Sequence, residues 1–182
     1  MLRFKDGDAA SFALLVERYR MPLVRYFYRW VRNYSVAEEL TQEVFLRVHR
    51  SRGAYEPTAK FTSWLYLIAK RLAINSVRDH QHERREERLD NKPWNMPVRQ
   101  LRDARPSTEQ FLLYQVKLDE VRNAVAELPE KQRSAVLMHK YEELQYWQIA
   151  IVLSCSESAV KSLLFRAHET LRARLAHMAP LG

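Results

Sequence analysis

The stretch that most constrains the fold of this chain lies near its C-terminus, at residues 146–171. Two apolar runs with a spacing of three to four residues flank a short polar break at 154–156. The first run contains Ile149 and Leu153, and the second contains Val160, Leu164, Ala167 and Leu171. This pattern predicts two short helices that are joined by a tight turn and share one buried face.

The second of these helices has side chains suited to DNA on its outward face. Ser156 is placed to cap it, and Glu157 follows in its first turn, where a negative charge favours the helix dipole. The outward face holds Lys161, Ser162, Phe165 and Arg166, which are types that contact phosphates, base edges and thymine methyl groups. A helix-turn-helix DNA reader is one interpretation. An ordinary helical hairpin with a solvated polar face is the alternative.

Composition favours a helical protein with a polyanionic partner. The 182 residues include only 3 glycines, which argues against a β architecture rich in glycine turns. The formal charge of +8 and the pI near 9.7 favour nucleic acid as the partner. A single cysteine excludes an internal disulfide and a Cys-rich zinc site, and His80 and His82 have no acidic or Cys partner at metal-ligand spacing, so no metal and no cofactor are expected.

The N-terminus has no signal-peptide pattern, and no apolar run approaches the ~20 residues of a membrane span. We therefore expect a cytoplasmic protein without membrane insertion.

Apolar residues recur at helical spacing from Phe12 to Trp30, with a break or bend predicted near Pro22. The opposite face of this helix is cationic and is predicted to be solvated; it comprises Arg18, Arg25, Arg29 and Arg32.

The next helix is predicted to begin with a capping box, with Ser35 as the N-cap and Glu38 three residues later. Its buried stripe would comprise Leu40, Val44 and Val48. Its other side groups Glu39, Gln42, Glu43 and His49 at spacings of three, four and seven. That polar side is either simply hydrated or a docking surface for a protein, and the spacing does not choose between the two.

A loop at 51–60, marked by Gly53 and Pro57, precedes a helix with Trp64, Leu65, Ile68 and Leu72 on its core side. Cations and aromatic rings alternate here: Tyr55, Lys60, Phe61, Trp64, Tyr66, Lys70 and Arg71. This mixture suits single-stranded nucleic acid, because phosphates need positive charge and unpaired bases stack on rings. The alternative is that the rings belong to the core.

From Asp79 to about residue 105 the apolar periodicity fails, which predicts a linker or a helix tail that runs into one. A second capping box at Ser107 opens another helix, and Pro129 is predicted at the first position of the helix after it. The prediction is an all-α protein with two helical domains at 7–80 and 107–177, joined by a flexible linker at 81–106.

With these segments in order, the chain resembles the extracytoplasmic-function group of bacterial sigma factors, which contain only sigma regions 2 and 4. The motifs are AEELTQEVFLR at 37–47, FTSWLYLIA at 61–69, LPEKQR at 128–133, and YWQIA through AVKSLLFRA within 146–167. The resemblance implies promoter-specific transcription initiation. It also implies three partners: core RNA polymerase, through its clamp helices and flap region, promoter DNA, and a cognate anti-sigma factor.

The resemblance also implies roles for individual positions. Glu39, Gln42 and Glu43 match the surface that contacts the clamp helices. The loop from Tyr55 to Phe61, which includes Lys60, together with Trp64, Lys70 and Arg71, matches the part that captures a flipped base of the melted minus-10 element. Lys161, Ser162, Phe165 and Arg166 match the helix that reads the duplex minus-35 element, with Arg172 and Arg174 as phosphate contacts.

The chain differs from the common family pattern at Arg71, where asparagine is frequent, at Trp147–Gln148, where an acidic pair is common, and at Leu163, where arginine is frequent.

The alternative to a sigma factor is a stand-alone helix-turn-helix regulator whose N-terminal half senses a ligand or dimerises. The sequence contains no nucleophile elbow, glycine-rich phosphate loop or HExxH motif, so we expect no catalytic residues and no enzyme activity.

Overall fold

The computed structural model describes residues 1–83 and 108–178, and within those ranges every regular element is a helix. The all-α prediction is confirmed. Most of the predicted linker and Ser107 lie outside the described residues. The elements are α1 (Leu2–Lys5), α2 (Ala9–Val31), α3 (Tyr34–Arg50), α4 (Phe61–Glu83), α5 (Thr108–Ala126), α6 (Glu130–Lys140), α7 (Tyr146–Leu153), α8 (Glu157–Arg174) and a short 3-10 helix (Ala176–Met178).

Helix α2 continues through Pro22, so of the predicted break or bend the break does not occur. The helix runs from Ala9 to Val31 with Pro22 inside it. Proline removes one main-chain donor, but the residues that follow, Leu23, Val24 and Phe27, are fully buried and hold the chain in helical form. Tertiary packing therefore outweighs the local preference of proline.

Helix α3 begins earlier than predicted, and Ser35 is not its N-cap. Asn33 is the cap, and its side-chain oxygen accepts from the main-chain N–H of Val36 at 3.3 Å. Asparagine caps a helix as well as serine does, so local preference did not distinguish Asn33 from Ser35. The predicted buried stripe is correct in its main members, since Val44 and Val48 are fully buried.

The first half of α5 stands away from the core, although it carries apolar residues. Leu113 and Val116 are more than half exposed, whereas Val125 and Leu128 near the end of the helix are buried. Pro129 serves as the N-cap of α6, so the helix begins at Glu130, one residue later than predicted.

Helices α7 and α8 form the predicted helix-turn-helix and meet at 96°. Ser154 ends α7 in the left-handed conformation, at φ 51°, and Cys155 N–H then bonds back to the carbonyl of Ala150 at 3.0 Å. Ser156 caps α8 as predicted, accepting from Ala159 N–H at 3.2 Å. The two caps turn the chain sharply and fix the direction of α8.

We call α1–α4 the N-terminal module and the remaining helices the C-terminal module. Their buried residues form one continuous core, which extends from Leu23 in α2 to Ala167 in α8. Helix α4 lies against α7, and the end of α2 lies against α5.

No single helix in the described ranges is long and apolar enough to cross a membrane; α7 and α8 reach that apolar content only as a bent pair.

Candidate nucleic-acid interfaces

The polar cluster on α3 lies on the surface of the N-terminal module. Glu39 and Gln42 are exposed, and Glu43 is partly exposed and pairs with Arg47 at 2.7 Å. Ser35 Oγ lies 3.4 Å from a carboxylate oxygen of Glu39. The three side chains predicted to contact a protein partner are therefore accessible on one helix.

His49, which the spacing had grouped with this polar cluster, lines the same surface groove as Gln42 and also contacts aromatic rings. Its ring lies 5.4 Å from the ring centroids of both Phe4 and Phe12. The short helix α1, which sequence analysis did not predict, supplies Phe4 and thereby draws His49 towards α1. His49 therefore contacts α1 with its ring and remains exposed.

An apolar groove that sequence analysis missed lies beside the polar cluster. It has a volume of about 510 Å³ and separates α2 from α3, with Gln42 among its lining residues. Its apolar lining comprises Phe12, Val16, Val24, Phe45 and Leu46. Leu46, which the predicted buried stripe of this helix did not include, is about half exposed at 49%. The surface around Gln42 therefore offers both polar contacts and an apolar depression.

The rings of the loop before α4 and of the first turn of α4 form one cluster. Tyr55 lies edge-on to Trp64 at 5.0 Å and to Phe61 at 6.3 Å between centroids. Tyr55 is buried, and burial raises the pKa of its hydroxyl. Phe61 and Trp64 are half-buried. Tyr55 is therefore a core residue, whereas Phe61 and Trp64 are partly accessible, and strand binding by these rings stays a prediction.

The cations assigned to this surface lie at two places along α4. Lys60 is exposed just before the helix, whereas Lys70 is half-buried and Arg71 exposed further along. At 1.5 Å per residue, Arg71 lies roughly 15 Å from Phe61 along the helix axis. The structure therefore brings the rings and Lys60 together and leaves Lys70 and Arg71 as a separate group, a spacing that an extended strand could bridge.

The four residues assigned to DNA reading on α8 are all exposed. Phe165 is the most conspicuous, because an aromatic ring is 67% exposed on the surface of a well-packed module. Lys161 Nζ lies 5.9 Å from the ring centroid of Tyr146, and Ser162 Oγ donates to the carbonyl of Ser158 at 3.0 Å. Arg166 is exposed beside them. Val160, Leu164 and Ala167 are buried, so the two faces of α8 separate as predicted.

The two arginines expected to contact phosphates further along α8 are both engaged within the chain. Arg172 pairs with Glu169 one turn earlier, and Arg174 pairs with Glu127 at the end of α5. Arg174 is thus directed towards α5. Their expected phosphate contacts would require these exposed ion pairs to break, which costs little because surface pairs are weak.

Comparison with known proteins places both modules in one family. The model of Sigma-70 region 2 matches residues 15–83, and that of Sigma-70, region 4 matches residues 118–171. The chain is 31% identical over 179 residues to the RNA polymerase sigma factor CarQ of Myxococcus xanthus, covering 98% of this chain and 97% of that protein. This chain belongs to the sigma-70 family, in its extracytoplasmic-function group.

Other relatives agree with that assignment. The sigma factor is 29% identical to the RNA polymerase sigma-H factor of Pseudomonas aeruginosa, with 93% of this chain and 88% of that protein covered. It is 25% identical to the sigma factor SigW of Bacillus subtilis, with 94% and 92% covered. As a sigma factor, it directs promoter-specific transcription initiation. The alternative of a stand-alone regulator is not favoured, because both regions match in family order.

Two solved structures share the fold. One is CnrH in complex with the cytosolic domain of CnrY, with a TM-score of 0.68, 19% identity and coverage of 96% of this chain and 94% of that one. The other is RpoE of Bartonella quintana in complex with the anti-sigma factor NepR, with a TM-score of 0.65, 16% identity and coverage of 91% and 97%.

Sequence analysis missed a polar network between the two modules of the sigma factor. Glu142, between α6 and α7, accepts a hydrogen bond from Tyr66 Oη at 2.5 Å and pairs with Arg29 at 3.3 Å. Burial raises the pKa of Glu142 and lowers that of Arg29. The arginine face of α2, predicted to be fully solvated, therefore lies partly at this junction. Nothing in local spacing could have paired residues so far apart in the chain.

Proposed function

We propose that the sigma factor divides promoter recognition among three surfaces: α3 for polymerase, the start of α4 for the melted strand, and α8 for duplex DNA. The observation that carries the proposal is the exposed face of α8, where Phe165 and Arg166 project from a helix whose other face is buried. A large exposed ring beside cations has no role in packing, and it suits a major groove that offers thymine methyl groups and phosphates.

On this proposal, α8 reads the minus-35 element while its helix-turn-helix partner α7 supports it from behind. Lys161 and Arg166 supply charge for phosphates or guanine edges, and Ser162 supplies a hydroxyl. If the arginine that is frequent at the position of Leu163 makes one phosphate contact in relatives, the salt dependence of DNA binding should be shallower by about one unit in this chain.

The minus-10 strand is captured by the rings at the start of α4 and by the cations on both sides of them. Extruding a base costs a few kcal/mol, which stacking and a shaped pocket must offset. Phe61 and Trp64 have exposed edges that suit this role, and Tyr55 supports them from the core. Lys60, Lys70 and Arg71 would hold the phosphates along the strand.

Core polymerase is proposed to contact Glu39, Gln42 and Glu43, with the adjacent apolar groove receiving part of the clamp helices. A helix laid in an apolar groove with polar contacts at the rim is a common recognition mode. A cytoplasmic location follows from this partner. We also propose a cognate anti-sigma factor, because RpoE, which shares the fold, is bound to the anti-sigma factor NepR in its solved structure.

Reconstitution with core polymerase tests the proposal. The holoenzyme should make transcripts from specific sites on genomic DNA, and DNA that co-purifies with it should contain paired minus-35 and minus-10 elements. Lack of any promoter-directed transcript would contradict the proposal. Tight, specific binding without polymerase in a gel shift would instead favour a stand-alone regulator.

Charge reversal on α3 tests the polymerase surface separately. The double variant Glu39→Lys/Glu43→Lys should weaken core binding by roughly tenfold or more, because like charges would then face the partner. Glu17→Lys, an equally exposed reversal on α2, is the matched control and should bind like the wild type. Equal affinities for the two variants would remove α3 from the interface.

A further inference from the structure

Another cavity, which the proposed function does not use, lies where α2 meets α5 and α6. It has a volume of about 240 Å³, and the described residues that line it are four arginines, two tyrosines and four aliphatic side chains. The arginines are Arg25, Arg29, Arg32 and Arg122. No carboxylate is among these lining residues in the described part of the chain. We call this cavity the arginine pocket.

The arginine pocket follows from helical spacing on α2 and from the packing of α2 against α5. Arg25, Arg29 and Arg32 are separated by four and three residues, so they share one face at the end of α2. The end of α2 lies against α5, which supplies Arg122 from a second helix. Cations that are distant in sequence thus converge on one concave site.

The chain itself neutralises only part of the charge in the arginine pocket. Arg29 pairs with Glu142 at 3.3 Å, and Arg122 pairs with Asp119 at 2.9 Å. The other two arginines form no ion pair with a described residue. Four guanidinium groups therefore face two carboxylates, and the pocket has a surplus of positive charge that an anion would balance.

Arg32 lies close to other cations and has an uncommon backbone conformation. Burial lowers the pKa of its guanidinium, and the positive charge of Arg122 lowers it further. Burial also lowers the pKa of Arg133, and the charge of Arg32 adds to that shift. Arg32 ends α2 in the left-handed conformation at φ 58°, which few residues other than glycine adopt. Repulsion and backbone strain at one residue cost folding energy, and such costs are typical of ligand sites.

The carbonyl end of α2 does not cancel this positive field. A helix C-terminus carries a partial negative charge, which would repel an anion. Arg133 donates to the carbonyls of Arg29 and Trp30 at 2.7 and 3.0 Å. The end of the helix beside the pocket is thus covered by a further cation.

We propose that the arginine pocket binds a small molecule that carries two or more linked phosphate groups. A planar guanidinium donates two parallel hydrogen bonds to phosphate oxygens, so several arginines around one cavity suit clustered phosphates. The volume of about 240 Å³ is below the range of about 300–1,000 Å³ that drug-sized ligands occupy, so a compact group such as pyrophosphate fits. Leu118, Val121 and Tyr141 give the pocket an apolar side that suits the base of a nucleoside diphosphate.

Isothermal titration calorimetry on the full chain, at fixed ionic strength, tests the proposal. The probes are inorganic phosphate, pyrophosphate and adenosine diphosphate. Pyrophosphate should bind, and inorganic phosphate should bind about tenfold more weakly, because it offers one group to the arginines. Tighter binding of the nucleotide than of pyrophosphate would assign the apolar side of the pocket to a base. Nucleotide affinity no greater than that of pyrophosphate would leave the linked phosphates as the group that is recognised.

Substitutions on two helices separate a ligand contact from general attraction to a basic protein. Arg32→Gln and Arg122→Gln should each weaken pyrophosphate binding by about tenfold or more. Arg18→Gln removes the same charge from an exposed position on α2 that does not line the pocket, and it should bind pyrophosphate like the wild type.

Stability without ligand separates binding from folding. Arg32→Gln should resist urea at least as well as the wild type, because its repulsion from Arg122 and Arg133 is removed. Pyrophosphate should raise the urea midpoint of the wild type and leave that of Arg32→Gln almost unchanged. If Arg32→Gln loses its helical circular dichroism, the same comparison with Arg122→Gln decides the question.

Three results would overturn the proposal. The first is that neither pyrophosphate nor the nucleotide binds the wild type, and the second is an equal loss of affinity in Arg18→Gln and the pocket variants. The third is that short duplex DNA binds in a manner that requires Arg32 while pyrophosphate does not bind, which would assign these arginines to nucleic acid. Polymerase is absent from every measurement, and no pocket residue is assigned above to polymerase or promoter DNA, so the proposed function stands or fails separately.

Discussion

Arg133 of the C-terminal module binds the end of α2 through Trp30. Its guanidinium donates to the main-chain carbonyl of Trp30 at 3.0 Å and lies 4.3 Å from the centroid of the same residue's ring. Burial lowers the pKa of Arg133 to about 10, so the group is still charged at neutral pH. A side chain from one module thus caps the carbonyl end of a helix in the other, where a positive charge also favours the helix dipole.

Replacing Arg133 should destabilise the whole chain. Arg133→Met keeps most of the apolar stem but leaves the buried carbonyls of Arg29 and Trp30 without this donor, at a cost of about 2–4 kcal/mol in the free energy of unfolding. Urea denaturation measures it. Lys131→Met, an exposed change on the same helix, should stay within about 0.5 kcal/mol of wild type. Equal losses in the two variants would mean that the cap contributes nothing.

Neighbouring residues on α8 should separate stability from DNA binding. Leu164 is buried, so Leu164→Ala should cost about 2–5 kcal/mol in the free energy of unfolding. Phe165 is exposed, so Phe165→Ala should change that energy by less than about 0.5 kcal/mol and yet weaken holoenzyme binding to minus-35 duplex DNA. A large loss of stability in Phe165→Ala would show that its ring packs.

Salt dependence should identify the phosphate contacts of α8. If Arg166 contacts one phosphate, Arg166→Ala should reduce the slope of log affinity against log salt by about 0.9 in holoenzyme binding to promoter DNA. Lys131→Ala is the matched control, because Lys131 is an exposed cation on α6, which the proposal does not assign to DNA. An unchanged slope in Arg166→Ala would reassign Arg166 to a contact that releases no counterion.

The buried carboxyl of Glu142 should affect the pH dependence of stability. Burial raises its pKa above the ordinary value of 4.5, with the Tyr66 hydrogen bond and the Arg29 charge opposing the shift. The folded chain then binds this proton more tightly than the unfolded chain, so the contribution to stability falls as pH rises from about 4.5 through the folded pKa. Glu142→Gln should lack that decline in urea denaturation between pH 4 and 7.

The control for this pH effect is Glu143→Gln, which changes an exposed carboxyl at the adjacent position. Its stability should follow the wild-type pH curve. If the stability of Glu142→Gln changes with pH in parallel with that of the wild type over this range, the folded and unfolded chains bind the Glu142 proton equally.

Local sequence predicted most of the helices because their apolar spacing and caps agree with each other. The faces of α8 are as expected, and so is the cap at Ser156. Errors occurred where two local signals competed: Asn33 and Ser35 are both good caps, and Pro22 is a helix breaker in a segment that is buried immediately afterwards. Long-range packing decides such cases, and spacing within one segment carries no information about it.

The junction between the modules could not be predicted for the same reason. Arg29 and Glu142 are 113 residues apart, and Arg29 lies on a helix face that was predicted to be solvated. Likewise, Tyr55 could equally have been a stacking platform or a core residue until its contacts with Trp64 were known. Residue type predicted the chemistry of each proposed binding surface, whereas the fold decides which of the predicted residues are accessible to a partner.

The turn between α7 and α8 has a consequence for how accurately the DNA-reading helix can be aimed. Ser154 holds a left-handed backbone, which costs a serine roughly 1 kcal/mol and would cost a glycine almost nothing. Glycine, however, would also allow many other torsions, so the angle between the helices could vary. By retaining a side chain at this corner, the protein gives up a little folding energy and gains angular precision where a small tilt would misalign every base contact.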